Sequence, residues 1–362
     1  GLKECILASF VLLGIVTIVV NIMVFASIDW IIAVLSTPAE LVTMMREYLI
    51  VIFAGLLGIF LYNFFASLLR SLGNSMVPLI FLAISAVLNI VLDLWFVAGL
   101  NRGVAGAAEA TVISQYVSGI GIAMYTWIKH PELLRFRRGV RLRLSRVKEI
   151  TSFSALTCLQ QSIMNLGILA VQGLVNSFGT TVMAAFAAGV KIDAFAYLPV
   201  QDFGNAFSIF TAQNYGARQT ERIKKGIRTS FIISMGFGLF ISLCVFLFAE
   251  PLMRIFIDAG ETAVIAEGVR YLRIEGTFYC LIAALFLLYG LYRALARPGM
   301  SVVLTIVSLG TRVGLAYAMA AVPAFGVVGI WWSIPIGWLL ADALGIVYYW
   351  IQRKKLLAYP ER

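Results

Sequence analysis

The chain of 362 residues is 61% hydrophobic and only 13% charged, and its mean hydropathy is +0.94. Soluble domains carry about 45–50% apolar and about 25% charged residues, so the composition excludes them. Sparse charge, aperiodic glycine and only 4 cysteines also exclude disordered, collagen-like and disulfide-scaffold chains. The net charge of +10 does not indicate a nucleic-acid partner, because the basic residues lie in loops between apolar runs. We predict an all-α polytopic membrane protein.

Apolar stretches follow one another along the whole chain, each long enough to cross about 30 Å of hydrocarbon as a helix. They lie near residues 6–28, 47–69, 76–98 and 103–128, and then near 151–175, 181–203, 227–249, 270–292, 300–322 and 325–351. The stretches are continuous rather than alternating, which favours about ten transmembrane helices over a β-barrel. Four domains are predicted: an incomplete N-lobe of four helices at 1–128, a basic linker at 129–150, a six-helix C-lobe at 151–351 and a tail at 352–362.

Basic residues collect on alternate loops. The richest are the linker at 129–150, the loop at 218–228 and the tail at 353–355. Because Lys and Arg are retained on the cytoplasmic side, we expect these loops and the C-terminus to be cytoplasmic. The predicted location is a plasma membrane of the bacterial inner-membrane type, with the linker lying on anionic lipid headgroups.

The two halves of the chain repeat each other at a spacing of 223 residues. Tyr48 corresponds to Tyr271 and Arg70 to Arg293, and the pattern Gly-Val-x-Gly at 103–106 recurs at 326–329. The two units start on the same side of the membrane, so the repeats are parallel. Two helices at about 151–216 have no counterpart in the first half, so we expect a complete molecule of twelve helices and an N-terminally truncated first lobe.

A polar trio in the first half is the main candidate for chemistry. Asp93 lies deep in a predicted helix, Asn89 is one turn earlier, and Thr111 lies in the following helix. A carboxylate, an amide oxygen and a hydroxyl suit a hard monovalent cation such as Na⁺, or a proton held on the carboxylate. In the second half, Asn89 corresponds to Arg312, Asp93 to Ala316 and Thr111 to Ile334. The trio is therefore not required by the repeated scaffold, and helix–helix hydrogen bonding is its alternative role.

Other buried charges are candidates for structural ion pairs, because unpaired charge is costly inside a membrane. Arg312 and Asp342 lie in neighbouring helices and are predicted to neutralise each other. Lys191 and Asp193 are two residues apart on one helix, so they point to different faces and do not pair together.

Aromatic and thioether side chains are candidates for a cavity that accepts flat organic cations, although core or lipid contact is the commoner role of such residues in membrane helices. The candidates are Tyr48, Phe153, Met164, Tyr197 and Phe207.

Catalytic motifs are absent from the sequence. It contains no P-loop and no nucleophile–base constellation, and its one histidine, His130, lies in a basic loop. We predict that the protein is not an enzyme, and that its only cofactor is a coupling ion, H⁺ or Na⁺.

Several motifs together resemble the multidrug and toxic compound extrusion (MATE) transporters. These are Leu-Arg-Ser-Leu-Gly-Asn at 69–74 with Pro78, Leu-Asn-Ile-Val-Leu-Asp at 88–93, Gly-Val-Ala-Gly-Ala-Ala-Glu-Ala-Thr at 103–111, and Gln-Asn-Tyr-Gly-Ala at 213–217. The similarity covers essentially all 362 residues.

The resemblance implies two six-helix lobes that alternate between inward- and outward-open shapes, and antiport export of organic, often cationic compounds against H⁺ or Na⁺. It assigns the coupling amide, acid and hydroxyl to Asn89, Asp93 and Thr111. The acidic positions that some members use in the second lobe appear as Gln161 and as uncharged residues around Cys280, so the first lobe is the expected coupling site. The expected partners are small molecules and the lipid bilayer, with a monomeric state. The alternatives are a flippase for a lipid-linked saccharide, and a channel or non-transporting membrane scaffold.

Overall fold

The computed structural model describes residues 2–34, 39–134 and 144–358. The chain forms two compact units, Gly1–Ser152 and Phe153–Arg362, and each is described by itself. Every long regular element in the described ranges is a helix and no strand occurs within them, which confirms the all-α polytopic fold class. The division falls just after the predicted linker at 129–150, and the arrangement of four domains stays a prediction. Residues 135–143 of the linker and 359–362 of the tail lie outside the described residues.

The first unit is built around a central helix that contacts most of the others. Its helices are α1 (Leu2–Val34), α2 (Val42–Ala54), α3 (Leu56–Ser71), α4 (Met76–Asp93), α5 (Gly103–Lys129) and the single turn α6 (Pro131–Leu134). Helix α5 packs against α2, α3 and α4. A glycine pair permits the close approach of α5 and α3, because a Cβ on Gly119 would lie 2.5 Å from the carbonyl oxygen of Gly58.

The second unit contains the larger hydrophobic core. Its helices are α7 (Leu144–Asn176, which begins in the first unit), α8 (Thr180–Gly216), α9 (Thr220–Phe256), α10 (Thr262–Glu275), α11 (Tyr279–Ala294), α12 (Pro298–Ala320) and α13 (Gly326–Leu356). Helix α11 is buried along most of its length and packs against α8, α9, α12 and α13. Helices α8 and α11 meet through Gly204 and Gly290, since a Cβ on Gly290 would lie 2.4 Å from the Gly204 carbonyl oxygen.

The 223-residue repeat is reproduced in the backbone. Helix α3 ends at Ser71 and α11 at Ala294, and helices α5 and α13 begin at Gly103 and Gly326. The turns after α3 and α11 use the same left-handed position, with φ of +87° at Gly73 and +56° at Ala296. A backbone hydrogen bond closes each turn, 2.9 Å long from Asn74 to Leu69 and 2.8 Å long from Arg297 to Tyr292.

Within the described ranges, nine helical stretches are long and apolar enough to cross a membrane, against the ten that were predicted. The tenth helix, α5, is present and spans 27 residues. It falls below the other nine in hydropathy because it carries Glu109, Ser114, Gln115 and Ser118, and the two serines are buried against neighbouring helices rather than exposed. Most of the other helices extend beyond their predicted limits, as α8 does by continuing to Gly216.

Candidate functional site

In the first unit, the structure brings together two members of the predicted polar trio. The amide nitrogen Nδ2 of Asn89 on α4 donates to the Thr111 hydroxyl on α5 at 3.4 Å. The Thr111 hydroxyl in turn donates to the carbonyl of Ala107, one turn earlier on its own helix, at 3.0 Å. This leaves the carbonyl oxygen of the Asn89 side chain available as a ligand beside the hydroxyl.

Asp93 lies one turn beyond Asn89, at the last residue of α4. The chain continues from it as a π-helical turn, Leu94–Gly99, a local widening that often accompanies functional sites. The carboxylate oxygen Oδ1 of Asp93 is buried and has no hydrogen-bond partner within the described part of the chain. The unsatisfied acceptor of Asp93 thus lies one helical turn from Asn89, which contacts Thr111.

The second unit holds a carboxylate that the sequence did not single out as a site. Asp193 on α8 is buried, and its two oxygens accept hydrogen bonds from the hydroxyls of Tyr271 and Tyr279. These tyrosines flank the short break between α10 and α11, so the break aims both hydroxyls at one carboxylate. Gly189 makes room for the arrangement, because a Cβ there would lie 2.5 Å from the Tyr271 ring.

Lys191 does not pair with Asp193, as expected from their spacing. Its ammonium group lies 5.7 Å from the centre of the Phe256 ring, on a different face of α8. Two signals pointed to the Asp193 site, namely an acid in a predicted span and Tyr271, which recurs as Tyr48. They could not be joined without the fold, because Tyr271 and Tyr279 lie 78 and 86 residues from Asp193 along the chain.

A cavity of about 220 Å³ in the second unit is lined by Asp193, Glu275 and Arg312. Glu275 is buried, and its oxygen Oε2 lacks a hydrogen-bond partner in the described ranges, as does the Arg312 nitrogen Nε. Two carboxyl groups face one guanidinium group, so the cavity is net negative when both acids are ionised. Tyr197, Phe286 and Trp338 contribute aromatic walls. An acidic cavity with aromatic walls is suited to an organic cation.

The predicted ion pair between Arg312 and Asp342 is wrong. Neither carboxylate oxygen of Asp342 has a hydrogen-bond partner among the residues that the structure describes. The Cβ of Arg312 packs beside Gly337, five residues before Asp342 on α13, and its side chain lines the cavity that contains Asp193 and Glu275. Opposite charges on neighbouring helices thus lie at different levels.

The predicted aromatic cavity residues separate into different environments. Met164 and Tyr197 line the cavity in the second unit, with the Tyr197 hydroxyl 3.4 Å from the Met164 sulfur. Phe153 is 37% exposed and is not among the residues that line it, and Phe207 is buried in the core. Tyr48 is half-buried in the first unit.

Comparison with known proteins identifies the family of this chain. The MatE family model matches residues 1–95 and 157–318. The chain belongs to the MatE family. It is 30% identical over 325 residues to the probable multidrug resistance protein YpnP of Bacillus subtilis, covering 89% of this chain and 72% of that protein. It is 26% identical over 320 residues to the probable multidrug resistance protein NorM of Thermotoga maritima, covering 87% of this chain and 68% of that protein.

Solved structures show the same fold. The crystal structure of MATE in the bent conformation superimposes with a TM-score of 0.89 at 23% identity, covering 98% of this chain and 79% of that chain. An outward-facing MATE family transporter of the MOP superfamily gives a TM-score of 0.90 over the same shares at 23% identity. As a member of the MatE family, the chain is a multi-pass membrane transporter and not an enzyme.

Proposed function

We propose that this protein exports organic, often cationic compounds across the plasma membrane in exchange for H⁺ or Na⁺. Relatives named as multidrug resistance proteins support the substrate class. In this proposal the protein works as a monomer, and its basic loops and its C-terminus lie in the cytoplasm.

The observation that carries the proposal is the unsatisfied oxygen of Asp93, one helical turn from the contact between Asn89 and Thr111. An ionised carboxylate inside a membrane protein is costly unless a proton or a cation neutralises it. A conformational change that exposes this group to water on one side and then on the other gives it two affinities for the ion. Export is coupled to the ion if the substrate also binds the two conformations differently.

The cavity in the second unit supports a cationic substrate. Its two acids, Asp193 and Glu275, outnumber Arg312, so the cavity favours a cation over an anion when both acids are ionised. When both acids are ionised, the pyrophosphate headgroup of a lipid-linked saccharide would meet net like charge there, which argues against the flippase alternative. A channel would let solutes or ions pass without coupling one movement to the other. Measurement of ethidium and ion flux in the same vesicles distinguishes a channel from an antiporter.

The test is export of ethidium by bacteria that express the wild-type protein or the Asp93→Asn variant. We expect the substitution to abolish export at unchanged membrane expression. An amide does not bind a proton in this pH range, and it lacks the negative charge that would hold Na⁺. Asp29→Asn is the matched control, since Asp29 in the same unit is 76% exposed and pairs with Arg46 at 2.5 Å. Export by Asp93→Asn at the level of the Asp29→Asn control would remove Asp93 from the mechanism.

A further inference from the structure

Asp342 is a buried acid to which the proposed export mechanism assigns no role. It lies near the middle of α13, sixteen residues after Gly326 and fourteen before Leu356. Its exposed fraction is 3%. Both carboxylate oxygens are buried, and neither has a hydrogen-bond partner within residues 2–34, 39–134 and 144–358.

The charged and titratable groups on the packed helices do not neutralise Asp342. Helix α13 packs against α10, α11 and α12. On α11, Cys280 and Tyr289 lie close enough to interact with the carboxyl group electrostatically, and neither is a cation. On α12, Arg312 is directed to the cavity, where Glu275 of α10 also lies. In the described part of the chain, no basic side chain forms an ion pair with Asp342.

The repeat shows that the fold does not need a carboxyl group here. The counterpart of Asp342 in the first unit is Gly119, which packs closely against the carbonyl of Gly58. The same helix position thus serves close packing in one unit and holds an acid in the other.

The cost of burying charge determines whether the Asp342 carboxyl group is protonated or ionised. A buried ionised carboxylate with neither a counter-ion nor a hydrogen bond carries an effective cost of several kcal/mol. A neutral carboxylic acid loses far less free energy on burial than the ionised form does. The neutral form is therefore the one that this environment accepts.

Asp342 lies one helical turn from a residue of the cavity wall. Trp338, four residues earlier on α13, lines the cavity, and Tyr289 on the neighbouring helix α11 lines it as well. A rearrangement of these two side chains, when the cavity takes up water or a cation, would open a path from Asp342 to the cavity.

We propose that Asp342 is a second proton-binding site, located in the second unit, which holds a proton in the described conformation and releases it when the adjacent cavity admits water or an organic cation. The proton comes from a hydronium ion, which leaves a water molecule, and on release it passes to a water molecule, which becomes hydronium. The release step rests on the proposed transport function, whereas the protonated state does not.

The test is infrared spectroscopy of the purified protein in lipid nanodiscs at neutral pH. A protonated carboxyl group absorbs as a carboxylic acid, and its band shifts when H₂O is exchanged for D₂O. We expect Asp342→Asn to remove one such band and Asp342→Glu to retain a displaced one. The Glu variant also covers the case in which the Asn variant does not fold. Asp29→Asn is the control and should leave the band unchanged, because Asp29 is exposed and paired with Arg46.

Addition of tetraphenylphosphonium, a defined organic cation, tests the release step. We expect the band assigned to Asp342 to lose intensity in the wild-type protein. A spectrum in which neither Asp342→Asn nor Asp342→Glu changes a carboxylic-acid band would overturn the proposal. A band that is insensitive to both the cation and pH would overturn the release step and leave a structural acid. Failure of export through Asp93 would leave the band in place, so the two proposals fail separately.

Discussion

Substitution of Gly189 by Ala perturbs the Asp193 site directly. The new Cβ would lie 2.5 Å from two ring carbons of Tyr271, whereas ordinary contacts are 3.4–4 Å, so the ring must move by about 1 Å. Tyr271 is only 1% exposed, and its ring centre lies 4.8 Å from that of Trp331 and 5.4 Å from that of Phe186. Overpacking of this kind costs about 1–3 kcal/mol. Loss of the Tyr271 hydrogen bond to the Asp193 carboxylate adds about 1.5–3 kcal/mol.

We therefore expect Gly189→Ala to lower the free energy of unfolding by about 2–5 kcal/mol, because the two terms are not fully additive. The assay is unfolding by SDS in mixed micelles, followed by the helical circular dichroism signal. Tyr271→Phe isolates the hydroxyl and should cost only the second term. Gly173→Ala in α7 is the matched control, since it has open space around it, and it should be neutral or slightly stabilising. If Gly189→Ala unfolds at the same SDS fraction as Gly173→Ala, the described packing of Tyr271 is incorrect.

The same unfolding assay checks three further expectations. Gly119→Ala should cost about 1–3 kcal/mol, because its Cβ meets the Gly58 backbone oxygen, and an unchanged midpoint would contradict the α3–α5 approach. Trp331→Phe should cost about 1.5–3 kcal/mol through loss of the 2.8 Å hydrogen bond to Glu267. Trp332→Phe, at a 40% exposed position, should cost little. Equal effects of the two substitutions would contradict a stabilising hydrogen bond at Trp331. Arg102→Gln should change stability by less than about 1 kcal/mol, since its 2.6 Å ion pair with Glu109 is partly exposed, with Arg102 itself 49% exposed. A larger loss would show that this pair is more important than its exposure indicates.

The sequence was sufficient for the features that depend on local pattern. Long apolar runs predicted the helices, and matched residues at one spacing predicted a repeat that the backbone reproduces at Gly73 and Ala296. The contact between Asn89 and Thr111 was accessible for a similar reason, since adjacent helices joined by a short turn pack against each other.

Features that depend on helices distant in sequence could not be obtained in this way. The two tyrosines that bind Asp193 belong to helices that follow it by 78 and 86 residues, and no spacing rule relates them. The wrong pairing of Arg312 with Asp342 has a related cause. Opposite charge on neighbouring helices fixes neither the depth nor the face of a side chain, and here the guanidinium is directed to a cavity that Asp342 does not line.

The central claim is that the carboxyl group of Asp93 exchanges an ion during transport. The direct measurement uses proteoliposomes in which inward movement of ethidium is imposed and the release of protons or of radioactive sodium is followed. We predict that ethidium drives the outward flux of one of these ions in the wild-type protein and in Asp29→Asn, and that Asp93→Asn abolishes this flux. Ion flux of full size in Asp93→Asn, or ethidium movement in the wild-type protein without either ion, would contradict the account.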